Sequence, residues 1–181
     1  LNGIGIHSKS SGLTTCIEFP TYADCGNTFS GFADGVLIET PGTQRFFKIA
    51  NNTISNTVYH VRVVSTNTGK ITHNTFNLLS NPVSNSLARF GIHITGANTA
   101  TSIQENTFTS TQFSPAQLGP IRTGVHHDGT GNVTKYVRKN TFKNMTHGVK
   151  AQNTNAINSG TITGLTYTCN KNNHVTNPQT L

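Results

Sequence analysis

Two short segments repeat the same order of side chains: Arg89-Phe90-Gly91-Ile92-His93 and Arg122-Thr123-Gly124-Val125-His126. Read as alternating strands, they place Arg89, His93, Arg122 and His126 on one outward face, two positions before and two after a glycine. Aligning every Gly-aliphatic pair extends the column to His7, Leu37, Arg62, His93, His126 and Lys150, with His60 standing where its own repeat lacks the glycine. Guanidinium, ammonium and imidazolium groups gathered on one face suit an anionic or hydroxyl-rich chain, such as an acidic polysaccharide. Arg62, Arg89, His93, Arg122, His126 and Lys150 are therefore the candidate ligand-binding residues.

Acid-base chemistry asks for carboxylates, and the chain has six: Glu18, Asp24, Asp34, Glu39, Glu105 and Asp128. An inverting glycoside hydrolase holds two of them about 6.5–9.5 Å apart. Only Glu39 and Asp128 fall in one column, three repeats from each other, which is roughly 14 Å by strand spacing. No Asp cluster suits a calcium-dependent lyase. If the chain is an enzyme, His126, Arg122, Asp128 and His93 remain, a set able to abstract a proton beside an acidic sugar. In His126-His127-Asp128 a strand sends His127 to the opposite side, so with His93 at most three ligands meet, and neither a metal site nor a cofactor is expected.

These side chains sit in a repeat. Asn-Thr-Phe recurs at residues 27, 74, 106 and 140, with Asn52-Thr53-Ile54 filling the gap; with Asn170 the spacings are 25, 22, 32, 34 and 30 residues. An aliphatic residue stands three positions before most of these asparagines (Ile49, Ile71, Ile103, Val137). Periods of this size belong to stacked architectures. Asn, Thr, Ser and Gly form helices poorly, and Tyr59-His60-Val61-Arg62-Val63 alternates as a strand does. Strands stacked on their counterparts would put Phe29, Ile54, Phe76, Phe108 and Phe142 in one internal column. Asn27, Asn52, Asn74, Asn106 and Asn140 would form another at a corner, where Asn tolerates a left-handed backbone. Asn to Gly takes eight residues in the repeats of Asn27 and Asn140, but seventeen from Asn74 and eighteen from Asn106. Two Ser/Asn/Pro/Gln-rich loops, about 77–88 and 109–121, thus stand beside the basic column, where binding is usually found.

The Asn-Thr-Phe and Gly-Val/Ile columns resemble those of the right-handed parallel β-helix proteins, a superfamily that includes pectate lyases, polygalacturonases and phage tailspikes. The segment Gly164 to Asn172 is similar to modules of very large secreted or surface-exposed bacterial proteins. The resemblance implies an all-β, right-handed parallel β-helix of about six coils over residues 1–181, with internal Asn and Phe/Ile ladders. Both termini read as cut from a longer array, so flanking coils of the same parent chain are expected partners. One solenoid hosts lyases, hydrolases and inert stalks alike.

Composition narrows the function. The net charge is +7, yet only 10% of residues are charged; that dilute surface, without helices, argues against nucleic acid. No apolar run approaches the roughly 20 residues of a membrane span. Cys16 and Cys25 could close a disulfide across the turn at Pro20, leaving Cys169 over, and such use fits an extracellular protein. The expected function is a non-catalytic structural or adhesive module, secreted or on the cell surface, that binds glycans on a basic flank. The alternatives are a polysaccharide lyase or glycoside hydrolase and a purely mechanical spacer or filament subunit.

Overall fold

The computed structural model describes residues 3–9, 13–14, 26–39, 45–64, 67–78, 88–96, 100–110, 121–131, 133–153 and 164–180. Cys16, Cys25 and most of both long loops lie outside the described residues. Among those described there are strands and turns and no helix. The β-branched and aromatic residues of Tyr59–Val64 or Arg89–Thr95 fit a pleated, half-buried surface, and the Asn, Gly and Ser between strands break it.

Among the described residues every strand pairing is parallel. The strands form three rows. The long row runs Ile4–Lys9, Asp34–Glu39, Tyr59–Val64, Arg89–Thr95 and Arg122–Asp128, then reaches Thr141–Gln152; the short row runs Thr28–Ser30, Thr53–Ser55, Thr75–Asn77, Thr107–Thr109 to the same Thr141–Gln152. That twelve-residue strand joins the two rows into one eleven-stranded sheet and also pairs with Lys171–Thr180. The third row is a separate six-stranded sheet of Leu13–Thr14, Arg45–Ala50, Asn67–Thr72, Ala100–Gln104, Lys135–Arg138 and Leu165–Thr168. Each strand pairs with its equivalent one repeat away, so an alternating sequence turns its aliphatic residues to a single interior: Val61, Ile71, Ile92, Ile103, Val125 and Val137 are all fully buried.

At the corner between the third and short rows the asparagines form a continuous ladder. The amide Nδ2 donates to Oδ1 of the next repeat at 3.0 Å from Asn27 to Asn52, Asn52 to Asn74, Asn74 to Asn106, Asn106 to Asn140 and Asn140 to Asn170. Asn170 thus belongs to the series. Each inner rung also bonds backbone: Asn106 Nδ2 donates to the carbonyls of Ile71 at 2.8 Å and Gln104 at 3.0 Å, and Asn106 Oδ1 accepts the Asn74 N–H at 2.9 Å. The left-handed residue is not the ladder Asn, contrary to expectation. It is the residue before: Asn51, His73, Glu105, Lys139 and Cys169 have φ from 55° to 58°. The Asn carbonyls and amides hold the turn closed, so residue types poorly suited to that conformation still adopt it.

Beside this ladder Phe76, Phe108 and Phe142 stack with ring centroids 4.8 Å apart. Their rings explain the glycine column. A Cβ built on Gly91 would stand 2.5 Å from the Phe108 ring, and one on Gly124 2.5 Å from that of Phe142. Where the repeat has His60 instead, its ring meets Phe76 edge-on at 6.0 Å.

Two substitutions test the stack by urea denaturation. Phe108→Ala should cost about 3 to 5 kcal/mol and the neighbouring exposed Thr107→Ala well under 1. Asn106→Ala strands several buried groups at about 1 to 3 kcal/mol each and should cost at least about 3. Equal effects at Thr107 and Phe108 would contradict the inward assignment.

Candidate functional site

The alternation of the long row slips at the glycine position. Along Arg89–Thr95 the residues run buried, half-buried, buried, buried, half-buried, buried, half-buried, so Gly91 and Ile92 are consecutive inward positions. His60 and Val61 do the same. The cause is the phenylalanine ladder: the glycine backbone lies against a ring, and the next residue resumes the aliphatic column. In Arg89–Thr95 the residue before the glycine therefore turns out and the one before that turns in, whereas Thr123, before Gly124, is itself covered. Arg89 and Arg122, expected on the outward face, are 2% and 8% exposed. Arg89 Nη1 donates to the Thr57 carbonyl at 3.2 Å. Burial pushes the pKa of both guanidiniums down, and in Arg122 the neighbouring charge of Arg89 adds to it.

The outward positions go to side chains that alternation alone does not pick. Tyr59 pairs with Phe90 across the strands, and their rings stack at 5.2 Å. His93 stacks on Tyr59 at 5.3 Å and on Phe90 at 5.1 Å, and His126 lies 4.8 Å from His93 and 5.4 Å from Phe90. Arg62 caps the group with its guanidinium carbon 5.2 Å from the Tyr59 ring centre, while its Nε lies 3.3 Å from Asp34 Oδ1. At the other end His126 Nε2 meets Gln152 Oε1 at 2.9 Å, Lys150 pairs with His126 in register, and Asn153 donates to Asp128. The expected column of Arg62, His93, His126 and Lys150 is thus adjacent in space, joined by Tyr59 and Phe90 and without the two arginines. Its signal in sequence was the glycine itself, since a glycine against a ring implies a change of phase.

These imidazoles are neutral near pH 7. Burial, then the charge of His126, pulls the His93 pKa down to about 4, and burial lowers that of His126. The expectation of imidazolium groups on this face is corrected accordingly. Both ring nitrogens of His93 are buried with no hydrogen-bond partner. Of the residues suited to an enzyme, His93, His126 and Asp128 share the outer side, and Arg122 does not. Glu39 reaches Asp128 only through Val64 and Thr95, three strand steps, and pairs instead with His7 at 2.9 Å. His127 faces the interior and is fully buried. Among the described residues no three metal-ligating side chains converge.

Polar groups inside the fold went unnoticed in the sequence. His60 sets Nε2 at 3.1 Å from the Asn77 carbonyl and Nδ1 at 3.1 Å from that of Phe90, so one ring bridges the two ends of the first long loop. The necks of both loops bond each other: Leu78 N–H to the Thr109 carbonyl at 2.8 Å and Arg89 N–H to that of Ile121 at 2.9 Å. Lys135 occupies an inward position of the third row, where its Nζ donates to the carbonyls of Gly131 at 2.6 Å and Val133 at 2.9 Å, and burial takes its pKa down to about 8.

Burial lowers His127 to about 3 and His60 to about 4. Below pH 6.5 the unfolded chain binds protons at both that the folded chain refuses, so stability falls as pH drops from 6.5 through 4. His127→Leu should remove about 2 to 3 kcal/mol of the loss between pH 7 and pH 4.5, at roughly 1.4 kcal/mol per unit. Urea midpoints at the two pH values measure this, and an unchanged acid dependence would contradict it. No family model, curated protein or solved structure matches this chain.

Proposed function

We propose that the chain is a right-handed parallel β-helix of about six coils in a secreted or cell-surface protein, serving as a non-catalytic structural and adhesive module. Parallel pairing of each strand with its equivalent one repeat away is compatible with that fold. The adhesive reading rests on the outward column of Tyr59, Phe90, His93 and His126. The half-buried rings of Tyr59, Phe90 and His93 offer apolar edges to the C–H groups of sugars, and the Tyr59 hydroxyl can bond a sugar hydroxyl. The ligand is a hydroxyl-rich glycan lying across the strands between Arg62 and Lys150. Its charge is secondary at this face, because Arg89 and Arg122 are buried and the histidines are neutral.

Titration with neutral and acidic oligosaccharides tests this reading. Replacing Tyr59 and Phe90 together by Ala should weaken binding at least about tenfold, equivalent to about 1.4 kcal/mol. Affinity should change little between pH 8 and pH 7, since burial lowers the pKa of both His93 and His126 and leaves them neutral there. Consumption of the sugar, abolished by His93→Ala, would replace this reading with a lyase or hydrolase. Neither binding nor turnover would leave a mechanical spacer.

A further inference from the structure

The four rings of the outward column close on one another rather than on water. The His93 ring lies 5.3 Å from Tyr59, 5.1 Å from Phe90 and 4.8 Å from His126, and the two imidazoles are nearly parallel at 11°. Both nitrogens of His93 and Nδ1 of His126 are buried with no hydrogen-bond partner among the described residues; His126 Nε2 alone is met, by Gln152 at 2.9 Å. A neutral imidazole leaves one N–H and one lone pair unmet in such a place. An imidazolium would leave two N–H donors and a charge.

The groups facing the pair give a proton little reason to stay. Tyr59–Val64 brings Arg62, whose guanidinium lies over Tyr59 and beside Asp34. Thr141–Gln152 brings Lys150, in register with His126, and His147, whereas Arg122–Asp128 brings Asp128. On the inner side of the same strands Arg89, Arg122 and His127 are enclosed. The stretches of chain adjoining these strands, 65–66, 79–87, 97–99, 111–120 and 154–163, contain no charged or titratable residue. At His93 the pull of Asp128 ranks below burial and the repulsion of His126; at His126 it ranks below burial and the charge of Lys150.

We propose that the column of Tyr59, Phe90, His93 and His126 is an acid-opened clasp, which holds a glycan while its imidazoles are neutral and lets it go when protons on His93 and His126 force the rings apart. The release rests on the glycan reading above; the opening of the rings does not. Two imidazolium rings 4.8 Å apart repel, and neither finds the acceptors it needs until it reaches water. An open ring titrates near 6.5, and His93 in the closed column near 4. The closed column is therefore fully favoured above pH 6.5 and loses ground as pH falls, about tenfold per unit for each ring that takes a proton. The Asn and Phe ladders that hold the strands in register carry no titratable group, so the rings can part while the sheet stands. His60 and His127 weaken the whole fold in acid, and the column has to be read apart from it.

Near-ultraviolet circular dichroism of the intact chain between about pH 7.5 and about pH 4 tests the proposal, in a His127→Leu background that steadies the fold. The difference between this chain and its Tyr59→Phe variant isolates the one tyrosine of the column, and the far-ultraviolet signal reports the fold. The ring signal should fall reversibly below about pH 6 while the far-ultraviolet signal holds. Affinity for the neutral sugars cellohexaose, mannohexaose and chitohexaose should drop at least about tenfold over the same range. His93→Phe with His126→Phe keeps a stack and removes both proton sites, so signal and affinity should stay flat. His93→Gln, which adds no bulk, leaves one titrating ring and should halve the steepness. A ring signal constant to pH 4, a loss that coincides with loss of the fold, or an unchanged transition in both histidine variants would each overturn the clasp. A ring signal that falls in a chain binding none of the sugars at pH 7.5 would overturn the glycan reading and the release with it, and sugar binding beside a constant ring signal would overturn the clasp alone.

Discussion

The asparagine ladder is the constraint on which the other features depend. Each inner rung, from Asn52 to Asn140, is an amide whose donors and acceptor are used on the rung beside it and on the turn backbone, out of reach of water. Such a group tolerates no shift: slipping one strand by a residue would leave buried amide and carbonyl groups unpaired at about 1 to 3 kcal/mol each. Register is therefore fixed once per repeat, however long the loop between repeats becomes. That is why spacings of 22 and 34 residues stack equally well, with Nδ2 to Oδ1 distances of 3.0 Å at both.

With register fixed, each position meets its own kind above and below. Phenylalanine stacks on phenylalanine, and the ring's thickness excludes a Cβ from the glycine beside it. The phase slip of the long row follows from this packing, and it decides which residues reach water. Arg89 and Arg122 go inward, while Phe90 goes outward and brings His93 and His126 into one stacked group. Packing in the interior thus sets the chemistry of the exterior.

The strand rows, their register and the two ladders were legible because they depend on residue types repeated in phase. The columns read from sequence pair as Cα partners, from Arg89 with Arg122 to Phe108 with Phe142. What escaped was direction. Period-two alternation holds only while successive residues take opposite sides, and a glycine against a ring suspends it, so Arg89 and Phe90 exchange sides relative to a plain strand. The left-handed corner was misplaced by one residue for a related reason: turn geometry is imposed by the ladder's hydrogen bonds rather than by the local preference of Glu105 or Lys139. Protonation was not legible at all, because desolvation depends on what covers a side chain and the expected strand left His93 and His126 open to water.

Burial also explains why a net charge of +7 says little about where a polyanion would meet this chain. Cations divide by row. On the long row Arg62 faces Asp34 and Arg89 and Arg122 are enclosed, while Lys150 stands half-buried beside His126. A buried cation interacts poorly with an outside anion, because bringing the anion near it costs the anion its own hydration. Inside the third row Lys135 is spent on two backbone carbonyls. Lys70 and Arg138, on the outward side of that row, are exposed. The same alternation that encloses Lys135 puts Tyr136 and Arg138 in water, so a single strand carries both a structural cation and a surface one.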